Sequence, residues 1–393
     1  MALSSYIPGF LWGGSGGKKP SIMAPEKMKQ WTTGLDGVDK LQLSEVDVPA
    51  PVDGEVLVQI HAVGLNSRDN EVCSGQVDHS SASIQQKQRI VPCSDMCGTV
   101  IDSKSKLLKP GTRVMSIFLQ THLEGPIKEE DLASGLGLPL PGVLTQYRVF
   151  PACSLVQVPE YLTDEEASCL PISAVTAWSS LNWMRPIGQH IGTQAGNAFK
   201  FVLLQGTGGV AVAGLQTAHA AGYKTIITSS SDDKLKRAAD ELKADHGINY
   251  KTYWEWQEPV MKATDGRGVD IIFETGGTRT LRKSFDSVAF GGVINCIGSL
   301  SGKSDDPGEG NGGDKTPQLH RLNVNVLALR RSVTLRGIIN GGKDRFEEML
   351  GFYREKQIRP VVSKVFGFDQ AKDALGYLAD GKNLGKVVIK VKE

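Results

Sequence analysis

The chain has 393 residues, 40% of them hydrophobic, and a formal net charge of +1. That is more than one usual core holds, so two domains are expected, and a near-neutral balance without a long basic run argues against nucleic acid or an acidic membrane surface as a partner. No apolar run reaches membrane-spanning length, and six scattered cysteines without a CxxC pair suggest neither a disulfide framework nor a zinc cluster, so the expectation is a reduced, cytoplasmic protein with a small-molecule partner.

Residues 1–27 hold a short apolar patch with its positive charges after it, and read as an N-terminal extension. From Met28 the runs MKQWTT, EVLVQIHAVG, CGTVID, TRVMSIF and LTQYRVF alternate with Gly and Pro, the pattern of a mostly β domain. At Thr163, a suitable N-cap before an acidic first turn, the texture becomes helical: DEEASCLPISAVTAWSSLNW. From Lys200 strands and helices alternate (FVLLQ, KTIIT, DDKLKRAADELK, INY, VDIIFE, GGVINCIG), which predicts a parallel sheet covered by helices on both faces. The Gly-, Asp- and Ser-rich segment 301–316 lacks periodicity and reads as a mobile surface loop, after which NVNVLALRRSVTLRGI and the terminal GKVVIKV read as strands.

The most informative stretch is VLLQGTGGVAVAG. A buried strand breaks at Gly206, Thr207, Gly208, Gly209 and Val210, which open an alanine-rich helix. Glycines suit this turn because side chains would block a pyrophosphate held by the backbone N–H groups at the helix start. At the end of the next strand, where a carboxylate would bind the ribose hydroxyls of NAD, stand Ser229, Ser230 and Ser231, with Lys234 close behind. Hydroxyls and an ammonium favour a 2′-phosphate, so NADPH is the expected cofactor, although Lys234 also fits a solvated helix lysine.

With AVGLNSRDN, VPCSDMCGTV, LPISAVTAW, VLLQGTGGVA, DHGINYKT, GRGVDIIFETGG and NLGKVVIKV in this order, the chain from about Met28 onward resembles the medium-chain dehydrogenase/reductase superfamily, in its zinc-independent alcohol-dehydrogenase-like and quinone-oxidoreductase-like branch. The resemblance implies an α/β fold in which a doubly wound Rossmann sheet, 166–339, is inserted into a mostly β GroES-like catalytic domain made of 28–165 and 340–393. It implies a homodimer paired through Rossmann edge strands, using the NVNVLALRRSVTLRGI region. It also puts Thr176, Ile297 and Gly298 beside the nicotinamide and brings Asn383 and Lys386 to the cofactor. Tyr250 would lie against the adenosine end, or equally be a half-buried strand tyrosine.

Zinc-dependent relatives place a Cys, a His–Glu pair and a second Cys or Asp where this chain has Asn66, Ser94 with Asp95, and the stretch before Thr176. One carboxylate is a poor ligand set for Zn²⁺, so no metal is expected, and Cys93 and Cys97 read as packing residues. The remaining candidates for chemistry are Asn66, Arg68, Ser94 and Asp95. Arg68 could orient a substrate carbonyl or a phosphate, or form an ion pair with Asp69. Ser94 and Asp95 could assist proton transfer or persist only as a hydrogen-bonded remnant. The function that follows is NADPH-dependent hydride transfer to or from a carbonyl or conjugated enone. A nucleotide-binding sensor or scaffold, and a biosynthetic enzyme guiding cyclisation or isomerisation, are the other readings.

Overall fold

A computed structural model describes residues 24–77, 89–182, 201–301 and 322–392. The extension up to residue 23 and the loop expected over 301–316, beyond its first residue, lie outside the described residues. Among them no helix is long and apolar enough to cross a membrane.

Strands β1 (Lys27–Thr32) and β2 (Gln42–Asp47) form an antiparallel pair that precedes the long β3 (Glu55–Leu65). Helix α1 (Ser67–Cys73) follows β3 directly, its start fixed by the Asp69 carboxylate, which accepts the Asn66 N–H at 2.7 Å. Then come β4 (Asp95–Ser103), β5 (Arg113–Ser116), β6 (Tyr147–Pro151) and β7 (Leu155–Gln157). The Thr163 hydroxyl caps α2 (Asp164–Ala167) by accepting the Glu166 N–H at 3.2 Å. A wide turn over Leu170–Ala174 leads into α3 (Val175–Leu181).

The next unit runs β8 (Phe201–Leu204), α4 (Gly209–Ala220), β9 (Lys224–Ser229), α5 (Asp232–Leu242), β10 (His246–Asn249), α6 (Gln257–Ala263), β11 (Val269–Glu274), α7 (Leu281–Ser287), β12 (Val288–Cys296), α8 (Val324–Arg331) and β13 (Thr334–Gly337). Its six strands pair in parallel in the order β10-β9-β8-β11-β12-β13, with the reversal of direction falling beside β8. Ligands of such open sheets bind outside the carboxyl ends of the strands at that reversal.

The chain returns through α9 (Lys343–Lys356), β14 (Val362–Gly367), α10 (Ala371–Ala379) and β15 (Lys386–Lys390). Strand β15 pairs antiparallel with β3, completing a seven-stranded sheet ordered β14-β15-β3-β4-β5-β7, with β6 also on β3. The fold class expected from the sequence is therefore present: a mostly β unit built from both ends of the chain, around a six-stranded parallel Rossmann sheet.

One element differs from its sequence reading. NVNVLALRRSVTLRGI is not all strand, because Val324–Arg331 is helical and only Thr334–Gly337 joins the sheet. The Asn323 side chain accepts the Val326 N–H at 3.2 Å and starts the helix, which ends at Ser332 in the left-handed region. Val324, Val326 and Leu327 suit an alternating strand as well as a short helix, and a run this brief does not separate the two periods.

The two units share a core. Trp178 of α3 is fully buried, 5.3 Å from the ring of Phe352 on α9, and its indole N–H donates to Glu348 at 2.8 Å. Leu170 and Ala174 of the wide turn join the same core as Ala211 and Leu215 of α4.

Candidate active site

Strand β8 ends in a turn where Gly206 holds φ +80°, a conformation L side chains rarely adopt. A Cβ added at Gly206 or Gly208 would meet no protein atom within 4 Å, so the space above the turn is open where the first N–H groups of α4 emerge. Gly209 is a glycine for the opposite reason: a Cβ there would lie 2.5 Å from the Ser173 hydroxyl and 2.7 Å from Lys386 Cδ. These residues fit a dinucleotide, whose pyrophosphate would sit on the N–H groups of the turn and the helix start.

Ser229, Ser230, Ser231 and Tyr250 lie together at the carboxyl end of β9. The Ser229 hydroxyl, buried at the end of β9, accepts the Ser231 N–H at 3.2 Å, and the Ser231 hydroxyl in turn caps α5. Ser230 between them is half-buried. The Lys234 ammonium donates to the Gly381 carbonyl at 2.5 Å, a link from α5 to the returning chain, and burial lowers its pKa. Tyr250 is half-buried and bonds Ser229 O through its own N–H at 3.0 Å. Val210 packs against the shared core, and Thr207 O accepts the Gly385 N–H at 3.0 Å, so the tail carrying Asn383 and Lys386 is hydrogen-bonded to the turn itself. Thr176 is buried with its hydroxyl 3.3 Å from Asn340 Oδ1.

Sequence reasoning missed the group that holds the far wall. Ile297 and Gly298 donate their N–H groups to Glu274 O at 2.8 and 3.3 Å. The buried Glu274 carboxylate accepts from Gly276 N and Gly277 N at 2.9 Å each, from Gln205 Nε2 at 2.8 Å, and from the hydroxyls of Thr280 and Ser284. Two loops are thus tied to one residue, 276–277 through its carboxylate and 297–298 through its main-chain carbonyl. The acid stood in the motif VDIIFETGG, but its partners are brought to it only by the fold.

Three of the four chemical candidates, Asn66, Ser94 and Asp95, sit within one polar cluster around Lys386. Lys386, its side chain 5% exposed, donates to Asn66 Oδ1 at 2.7 Å and to Asp95 Oδ2 at 3.4 Å. Ser173, not foreseen, donates to the same Asn66 oxygen at 3.2 Å. Asp95, fully buried, also accepts the Ser94 hydroxyl and the Ile172 N–H, both at 3.2 Å. Arg68 stands apart and forms no ion pair with Asp69: its guanidinium bonds Leu136 O and Leu138 O at 3.3 and 2.7 Å and lies 5.0 Å from the Phe118 ring centre. Burial lowers its pKa. Asp69 is fully buried, which pushes its pKa up to about 7, and its Oδ1 accepts no hydrogen bond among the described residues. The described residues contain no group of three His, Cys, Asp or Glu able to hold a metal ion, and burial raises the pKa of the Cys93 and Cys97 thiols well above the usual value.

The GroES-like domain model of alcohol dehydrogenases matches residues 52–160, and the zinc-binding dehydrogenase model matches 209–355. A zinc-type alcohol dehydrogenase-like protein of Schizosaccharomyces pombe is 36% identical over 360 residues, spanning 91% of this chain and 97% of its own. The chain belongs to the medium-chain dehydrogenase/reductase family. A crystal structure of a putative alcohol dehydrogenase from Sinorhizobium meliloti 1021 superposes on this family member with a TM-score of 0.78 at 34% identity, covering 94% of this chain and all of that one. The 2-methylene-furan-3-one reductase of Solanum lycopersicum is 26% identical over 94% of this chain and 80% of its own length. The dehydrogenase/reductase described here is accordingly an oxidoreductase with an NAD(P)-binding Rossmann domain.

Proposed function

We propose that this dehydrogenase/reductase is a zinc-independent, NADPH-dependent reductase that transfers hydride to a carbonyl or conjugated enone of a small organic substrate. The observation that carries the reading is the contact at Gly209, where the dinucleotide turn abuts Ser173 and Lys386, and through them Asn66 and Asp95. The phosphate turn and a buried polar cluster are therefore in direct contact. When bound, the nicotinamide supplies the hydride. The turn and the start of α4 would hold the phosphates with the Asn383–Lys386 tail beside them, Ser229, Ser230, Ser231 and Lys234 the 2′-phosphate, and Thr176, Ile297 and Gly298 the nicotinamide side. An enone fits because conjugation spreads the charge that a metal would otherwise neutralise, and the tomato relative is named a reductase of such a compound.

Zinc-independence is supported by the donors themselves. The Asn66 oxygen already accepts two hydrogen bonds, and an ammonium 2.7 Å from it opposes a divalent cation at the same place. A homodimer is supported by the exposed edge β13 beside α8, where Leu335 and Leu329 are 37% and 79% exposed.

Purified protein incubated with NADPH and a panel of enones, aldehydes and quinones should oxidise the cofactor, and deuterium from labelled NADPH should enter the product. Tight NADPH binding without oxidation across the panel would favour a sensor or scaffold. Replacing Ser229 by Asp should lower the NADPH-to-NADH preference by roughly tenfold or more, the loss of about one charge-assisted contact. An unchanged ratio sinks the cofactor assignment.

A further inference from the structure

Asn66 is 8% exposed, and its side-chain amide is oriented by its neighbours. Two donors, Lys386 Nζ at 2.7 Å and Ser173 Oγ at 3.2 Å, converge on one terminal atom, which must therefore be the oxygen. The other terminal atom is the NH₂ group, and Nδ2 is buried without a hydrogen-bond partner among the described residues. Buried donors are nearly always satisfied, and leaving one unmade costs about 1–3 kcal/mol. The backbone offers no relief: the Asn66 N–H is taken by Asp69, and Asn66 O accepts the Asp69 N–H at 2.9 Å. The amide stands at the junction of β3 and α1, beside the tail that is bonded to the dinucleotide turn.

Resting on the reductase reading, the geometry points to Asn66 Nδ2–H as the hydrogen-bond donor to the substrate carbonyl oxygen, with Lys386 and Ser173 as the positioning residues that aim it. Hydride adds to the carbonyl carbon, or to the β-carbon of an enone. The π pair then moves onto oxygen, Nδ2–H stabilises the resulting oxyanion or enolate, and water delivers the proton that completes the product. Asn66 gives up no proton at any stage. The Lys386 charge on the amide oxygen polarises the amide and strengthens its N–H as a donor. This supplies at a metal-ligand position of the family what a Lewis acid would supply elsewhere, a fixed dipole aimed at the developing charge.

The test uses the full chain and Asn66→Asp, which preserves size and the acceptor for Lys386 but puts an acceptor where the donor was. Two readouts separate the inference from the reading beneath it. In the protein–NADP⁺ complex, where no hydride is available, 2-cyclohexenone should bind with its carbonyl stretch at lower frequency in wild type than in Asn66→Asp. In single-turnover mixing with NADPH, Asn66→Asp should transfer hydride roughly 10²–10³-fold more slowly, the size of one lost oxyanion donor, with NADPH affinity retained. Should Asn66→Asp fail to fold, Ser173→Ala, which removes only one aiming bond, should move both readouts in the same direction by a smaller amount. A carbonyl frequency identical in wild type and variants, an unchanged transfer rate, or no binding of the probe to the wild-type complex overturns the assignment. A shifted frequency in a wild type that never oxidises NADPH instead removes the reductase reading and leaves the donor in place.

Discussion

Glu274 and Asp69 are both carboxyl groups sealed from solvent, one in each unit, and the protein treats them in opposite ways. Every oxygen of Glu274 is engaged, with two backbone N–H groups, an amide and two hydroxyls converging on it. Among the described residues, Asp69 has one oxygen in the cap of α1 and the other without a partner, and its neighbour Asn66 likewise keeps an NH₂ without one. The Glu274 network is thus closed on itself within the Rossmann unit. The corner around Asn66 and Asp69 is held by a few side chains and, among the described residues, leaves hydrogen-bonding capacity over. A fully satisfied network buys rigidity, whereas an incomplete one is where a ligand's polar atoms are to be sought.

If that contrast is right, damage to Glu274 should be the most costly single change. Glu274→Ala strands Gln205 and the N–H groups of Gly276 and Gly277 in a buried site, and a loss of about 3–5 kcal/mol in urea unfolding is expected. A loss under about 1 kcal/mol would mean the network is ornamental. The next largest effect belongs to the contact between the two sides. Gly209→Val pushes a side chain onto Ser173 and Lys386, so it should displace the turn by an ångström or so and cut hydride transfer by about 10²-fold. Equal kinetics in this variant would show that turn and cluster are independent.

What the sequence disclosed follows the same division. The strand–glycine–helix pattern is local, so the dinucleotide turn was legible from spacing alone, and so was the β-rich run that ends in Asn66. The Ser173–Asn66 bond spans 107 positions and the Lys386–Asn66 bond spans 320, and no periodicity reports contacts of that kind. Lys386 was read as a cofactor residue because GKVVIK has that likeness, and only the antiparallel pairing of β15 with β3 brings it to Asn66 as well. Arg68 illustrates the converse: a neighbouring Asp suggested an ion pair, but a helix turns the two side chains apart, one to the cap and the other to carbonyls 68 and 70 residues away. The helix over Val324–Arg331 was lost to an apolar spacing that serves either period.

The smallest expected effect is also the most direct probe of the unfinished side. Burial raises the Asp69 pKa to about 7, well above the ordinary carboxyl value near 3.9. A carboxyl whose folded pKa is raised binds a proton more tightly when folded, so its contribution is complete below about pH 4 and is lost as pH climbs through 7. Asp69→Asn keeps an oxygen for the Asn66 N–H and stays neutral throughout. Wild-type stability should therefore fall between about pH 4 and pH 7 and level off above that, relative to a variant that carries no such change. By pH 8 the variant should lead by about 1–2 kcal/mol, less than full linkage because an ionised carboxylate draws in water. Stability against urea at half-unit pH steps makes the comparison, and parallel curves for the two proteins would place Asp69 among the satisfied carboxylates, beside Glu274 rather than opposite it.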